Sequence, residues 1–153
     1  MPAPCAQDSP HLALLPALLD QAEGLERVIG PVEMVMGHND LLPGNILHGD
    51  GRFWLIDWEY AGFNSPLFDL GGLASNNGLS PDQEHLLLSA YYGAAVEGAL
   101  WHRYQAMKCA SLLRETLWSM VSEITSTLDV DYAAYTAENL NAYRAAHAAL
   151  QSL

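Results

Sequence analysis

Apolar positions along the chain change period several times, and each change marks an element. Ser9-Pro10 opens a helix with a capping hydroxyl and an N1 proline, and Leu12, Leu15, Leu18, Leu19, Ala22 and Leu25 follow at helical spacing until Gly30-Pro31. Residues 1–8 read as a loose lead-in. Val32 to Met36 is a short extended piece. Two β-favouring runs, Asn45-Ile46-Leu47-His48 and Phe53-Trp54-Leu55-Ile56, flank Gly49-Asp50-Gly51 and predict a hairpin. Ala61 to Pro66 is turn-rich, and Leu67 to Ser75 a short helix. Beyond it the pattern is helical throughout. Ser80-Pro81-Asp82-Gln83 is a capping-box start, with Leu86, Leu87, Ala90, Tyr91 and Ala94 as the expected apolar face before Gly93 and Gly98 loosen the run. A long helix over Leu100 to Thr127 carries Trp101, Tyr104, Met107, Leu112, Trp118, Val121 and Ile124. Asp129-Val130-Asp131 breaks it and caps a last helix over Tyr132 to Leu150. The prediction is one mainly helical α+β domain over residues 1–153, with a small β-hairpin inserted early.

The hairpin is where polar residues interrupt this pattern. Folding it brings Asn45, at the start of one strand, close to Asp57, at the end of the other. An amide oxygen beside a carboxylate suits a hard, oxygen-liganded ion such as Mg²⁺. Asp40 lies five residues before Asn45, on a loop kinked by Pro43-Gly44, within reach as a base beside that metal. Phosphoryl transfer asks for this pairing: a metal to gather phosphate oxygens and a base to align the attacking hydroxyl. His38-x-Asp40 and the interval from Asp40 to Asn45 repeat the spacing of protein-kinase catalytic loops, and an apolar strand ending in Ile56-Asp57 follows, then Phe68-Asp69-Leu70-Gly71.

Composition sharpens the picture in two ways. Six basic residues against eighteen acidic ones give a formal charge of −12. Such a surface repels nucleic acid and anionic membranes and suits a cationic small molecule. Cys5 and Cys109 fit no metal or redox spacing, so a reducing cytoplasm is the expected setting, and no apolar run is long enough for a membrane span.

The motifs His38-Asn39-Asp40-Leu41-Leu42-Pro43-Gly44-Asn45 and Leu55-Ile56-Asp57-Trp58-Glu59-Tyr60 resemble the choline/ethanolamine kinase family, a branch of the aminoglycoside-phosphotransferase-like kinases with a protein-kinase-like fold. The resemblance continues through Phe68-Asp69-Leu70-Gly71, Leu117-Trp118-Ser119-Met120-Val121 and Asp131-Tyr132-Ala133-Ala134-Tyr135. It implies the large C-terminal lobe of such a kinase, with ATP as phosphate donor and a small amino alcohol, choline or ethanolamine, as acceptor. Asp40 is then the catalytic base, His38 braces its loop, Asn45 and Asp57 hold Mg²⁺, and Asp69 accepts hydrogen bonds from the loop backbone. Tyr60, Trp118 and Tyr135 fall where the family places rings around an ammonium group. Glu115 stands where the better-known choline kinases have a second tryptophan, one helical turn before Trp118. Asn76 stands where an acidic residue is expected. Glu115 can itself supply negative charge on the Trp118 face of the helix. Glu59 reads as a structural or rim charge. Within the same class, an aminoglycoside or thiamine is the alternative acceptor; from another class, a half-kinase that binds without chemistry.

Kinases of this kind also need a small lobe with a glycine-rich loop and a lysine clamping the ATP phosphates. Before His38 the sole basic residue is Arg27, and the chain's single lysine is Lys108. The ATP clamp is therefore expected to lie outside this chain, leaving it inactive alone, with an uncovered apolar face that favours a homodimer.

Overall fold

A computed structural model describes residues 9–153; the lead-in at 1–8 lies outside the described residues. Its elements are α1 (Leu15–Ile29), β1 (Val35–Gly37), β2 (Ile46–Gly49), β3 (Arg52–Leu55), β4 (Gly62–Asn64), α2 (Pro66–Asn76), α3 (Pro81–Tyr92), α4 (Gly98–Thr125) and α5 (Tyr132–Leu150). The long α4 is the spine, with α1, α2 and α5 packed directly on it. Its middle is buried on nearly every side, through Tyr104, Ala106, Met107, Cys109, Leu113, Thr116, Ser119 and Met120. The threonine and serine hydroxyls there find backbone acceptors within their own helix: Thr116 Oγ1 donates to the Leu112 carbonyl at 2.8 Å and Ser119 Oγ to the Thr116 carbonyl at 2.8 Å. From α1, Leu18, Leu25 and Ile29 enter the core; from α5, Thr136, Leu140, Tyr143 and Leu150 do. Tyr143 Oη reaches back to Gln21 Oε1 at 2.8 Å and joins the chain's two ends.

Helix boundaries follow local chemistry. Ser9 caps a turn rather than the helix: its Oγ accepts from the His11 N–H, a 3₁₀ turn follows at Leu12–Leu14, and α1 begins with Pro16 in its first turn. Gly30, at φ 62°, ends it, and Arg103 of α4 crosses to donate to the last carbonyls, with Nε on the Ile29 oxygen at 2.7 Å and Nη2 on that of Pro31. Ser80 and Gln83 close a reciprocal capping box on α3, and Asp131 accepts from the Ala134 N–H to start α5.

Two expectations are corrected. On α3 the apolar stripe predicted through Leu86, Leu87, Ala90 and Tyr91 is not the buried face: of these Leu87 alone packs against the core, Leu86 is 70% and Tyr91 52% exposed, while Glu84 and Leu88 are buried. Ala94 falls beyond the helix, which Gly93 ends at φ 68°. A polar clamp sets the helix's rotation. Glu84 takes the Lys108 ammonium at 2.7 Å on one carboxylate oxygen and the Gln105 amide at 2.8 Å on the other. Once buried, a carboxylate demands such partners, and their position on α4 overrides the weak apolar stripe. The second correction concerns Ala61 to Pro66, which is not turn throughout: β4 pairs antiparallel with β1, with Met36 opposite Phe63.

The predicted hairpin forms. Strands β2 and β3 pair with Ile46 opposite Leu55 and Gly49 opposite Arg52. Asp50 and Gly51 close it at φ 52° and 70°, both left-handed, as a two-residue I′ turn requires. Neither two-stranded sheet is covered on its outer face: Phe53 and Phe63 are each 74% exposed, with Met36, Trp54 and Ile56 also in the open. Gly71 allows α2 to sit against α4 at backbone distance, since a Cβ there would lie 2.9 Å from the Lys108 Cα. Among the described residues no helix is long and apolar enough to cross a membrane.

Candidate active site

The loop from His38 to Asn45 is held from three sides. Its first two backbone N–H groups, of His38 and Asn39, donate to the two oxygens of Asp69, each at 2.7 Å. Asp69 sits in the first turn of α2, which Ser65 caps, so the helix dipole also favours its negative charge. Gly37 is what lets it come so close: a Cβ there would lie 2.9 Å from Asp69 Oδ2. The His38 ring, buried, donates from Nε2 to the Ile56 carbonyl at 2.8 Å and tilts against Trp58 at 4.7 Å. His38 thus fastens the loop to the end of β3 beneath the site. Its Nδ1 is buried without a protein partner.

Asn39, which sequence reasoning passed over, is the third anchor. It adopts φ 64°, a conformation that asparagine tolerates better than other non-glycine residues. Its amide donates to the Tyr60 carbonyl at 3.0 Å and the Gly62 carbonyl at 3.3 Å and accepts from Asn64 at 2.9 Å. Arg114 of α4 donates to the Asn39 carbonyl at 3.0 Å and lies over the Phe68 ring. The one signal available beforehand was an asparagine in a loop between two residues already singled out. Nothing in the sequence marked Arg114.

Asp40 follows, half-buried. Asn45 donates from Nδ2 to the Asp40 carbonyl at 3.0 Å and to its carboxylate at 3.3 Å. The Ile56 N–H donates to the Asn45 carbonyl at 3.1 Å, so the strand pairing continues one step beyond β2 and β3, with Ile56 opposite Asn45 and Asp57 one residue further along. Asp57 is exposed at φ 63°, an unfavoured conformation for a residue with a side chain. With Asn45 Nδ2 committed to Asp40, its Oδ1 remains for another partner. Two oxygen donors and no more fit Mg²⁺, which keeps several waters and takes phosphate oxygens rather than filling an all-protein cage. Among the described residues no three His, Cys, Asp or Glu gather as a denser cluster.

Beside Asp40 opens a cavity of about 270 Å³ whose walls include Asp40, Tyr60, Glu115, Trp118, Tyr132 and Tyr135. Four of the five residues expected around an ammonium group are thus brought together with Asp40. The fifth, Asn76, lies in an adjoining polar recess and donates to the Leu41 carbonyl at 3.4 Å. Trp118 meets Tyr132 and Tyr135 edge-on, with centroids 6.0 and 6.5 Å apart; Tyr132 is an aromatic wall that had not been assigned a role. Tyr135 donates to Glu115 at 2.8 Å. Burial, then the Glu115 hydrogen bond and charge, push the Tyr135 hydroxyl up to about 12, so it stays protonated as a donor at neutral pH. Rings around two carboxylates, Asp40 and Glu115, in an open-mouthed cavity, attract a cation.

A kinase-like fold with an aromatic cavity beside the loop from His38 to Asn45 is the class that the architecture defines. The chain belongs to the phosphotransferase enzyme family, whose family model matches residues 5–107. Among its relatives, protein LicA of Haemophilus influenzae is 29% identical over 111 residues, 69% of this chain and 40% of that protein. Human ethanolamine kinase 2 is 33% identical over 141 residues, 79% of this chain and 36% of that protein. A choline/ethanolamine kinase family protein from Mesorhizobium loti superposes with a TM-score of 0.79 at 29% identity, covering 88% of this chain and 46% of that one. The chain therefore spans less than half the length of each of these relatives.

Proposed function

We propose that this chain is the acceptor-binding catalytic lobe of an ATP-dependent kinase that phosphorylates the hydroxyl of a small amino alcohol, choline or ethanolamine. The observation that carries the reading is that Asp40 lines the same cavity as Glu115, Tyr60, Trp118 and Tyr135. A substrate whose ammonium sits among these rings presents its hydroxyl toward Asp40. In the reaction the hydroxyl oxygen bonds to the γ-phosphorus, the bond from that phosphorus to the ADP oxygen breaks, and the hydroxyl proton passes to the Asp40 carboxylate. Asn45 Oδ1 and the Asp57 carboxylate would hold Mg²⁺, which when bound neutralises charge on the phosphate oxygens. His38 and Asp69 touch no substrate in this scheme; they keep Asp40 in place. Asn76 lines the recess behind the acceptor. A kinase drawing on ATP in this way works in the cytoplasm.

The uncovered β-hairpin region is, in this reading, where an ATP-clamping lobe packs, since Phe53, Trp54 and Ile56 there, with Phe63 on the other sheet, are exposed apolar side chains of the kind that mark an interaction site. ATP-dependent phosphorylation of choline and ethanolamine, followed by ³¹P NMR, is expected to be negligible for the 153-residue chain alone and to rise when a relative's N-terminal lobe is supplied. Robust turnover by the chain alone removes the need for the lobe; none with it removes the kinase reading. The same face favours a homodimer when no lobe covers it. Sedimentation equilibrium is expected to show reversible self-association, and a clean monomer at high concentration counts against it.

A further inference from the structure

Glu115 has two carboxylate oxygens, and Tyr135 occupies one of them at 2.8 Å. The other takes no hydrogen bond among the described residues, and Glu115 lines two chambers. Outside is the aromatic cavity of about 270 Å³. Inside is a recess of about 30 Å³, walled by Asn76, Ser75, Ser111 and Asn139 and sharing Asp40 and Glu115 with the outer chamber. The recess admits a group the size of a water or a bare ammonium. It is polar, because the Asn139 amide nitrogen is buried there beside the Tyr135 hydroxyl with no well-formed hydrogen bond among the described residues, and a half-turn of that amide presents its oxygen instead. Arg114, the one cation on these walls, is committed to the Asn39 carbonyl and the Phe68 ring.

We propose that Glu115, held in place by Tyr135 at the mouth of the polar recess, selects an acceptor whose ammonium carries N–H donors, and so favours ethanolamine over choline. This rests on the amino-alcohol reading above and deepens it. A quaternary ammonium is attracted by the rings and by the charge of Glu115, but it has no N–H to give the free oxygen and is too bulky for the recess. A primary ammonium satisfies both. Each hydrogen bond to a charged acceptor in such a site is worth about 10–100-fold in affinity.

The test is an NMR titration of the ¹⁵N-labelled chain with ethanolamine, N-methylethanolamine, N,N-dimethylethanolamine and choline, for wild type and Glu115→Gln. Glutamine keeps an acceptor for Tyr135, and circular dichroism verifies that the fold is unchanged. Ethanolamine is expected to bind about 10–100-fold more tightly than choline, with affinity falling along the series as N–H groups are lost. In Glu115→Gln the ratio is expected to collapse to within about 3-fold. Choline binding as tightly as ethanolamine, or a ratio indifferent to Glu115→Gln, overturns the proposal while leaving the amino-alcohol reading intact. Binding of none of the four compounds overturns both.

Discussion

Asp69→Ala is expected to cost the chain about 3–5 kcal/mol of folding stability, read as a lower urea midpoint at unchanged slope. Two short hydrogen bonds to a carboxylate are lost together, and the His38 N–H is left beside a buried imidazole with no other acceptor. Hydrogen bonds to charged groups contribute about 1.5–3 kcal/mol each, and a buried donor left unpaired adds its desolvation cost. Water entering the vacated space recovers part of this, which sets the lower bound. Against a total of about 5–15 kcal/mol for a domain of ordinary stability, such a loss is severe. Glu138→Ala, at an exposed position on α5, is the control and is expected to stay within about 0.5 kcal/mol. A cost for Asp69→Ala no larger than the control's would mean that the loop is held without it.

For Asp40→Asn the expected loss is in turnover. With the N-terminal lobe supplied, kcat for amino alcohol phosphorylation should fall by about 10²–10⁴-fold, the usual contribution of a positioned base. Folding stability should change by less than about 1 kcal/mol, because the carboxylate takes a single long hydrogen bond, from Asn45 at 3.3 Å, and the Asn45 amide keeps the Asp40 carbonyl at 3.0 Å. The split separates a group that acts on the substrate from one that holds the loop. An Asp40→Asn protein that turns over normally would remove Asp40 as the base.

Much of this was legible before any coordinates. The α3 capping box, the Asp131 cap and the Asp50-Gly51 turn are local signals, read within four residues, and each is present as expected. The pairing of the two strands around Gly49-Asp50-Gly51 followed from hairpin chemistry alone. What stayed hidden depends on distant partners. The buried face of α3 is set by Glu84 meeting Lys108, twenty-four residues away, and no apolar periodicity encodes that. β4 is too short to show alternation and forms because β1 lies beside it. Arg114 looks like an ordinary helix-surface arginine until α4 is placed against the Asn39 carbonyl. The cavity was partly foreseen: its aromatic positions came from family likeness, whereas Tyr132 and the polar recess behind Glu115 needed the helices to be packed.

Arg114 and Glu115 are neighbours on α4. The first grips the loop next to Asp40, and the second stands at the acceptor cavity. The base and the proposed ammonium anchor are therefore both suspended from adjacent residues of one rigid rod. Loop motion cannot change their separation without breaking the Arg114 contact, so the spacing acts as a fixed gauge of how many carbons lie between nitrogen and hydroxyl. In the proposed scheme, a homologue of the acceptor with one more methylene keeps its charge and its hydroxyl, yet cannot set both on Glu115 and Asp40 at the spacing that the shorter acceptor uses.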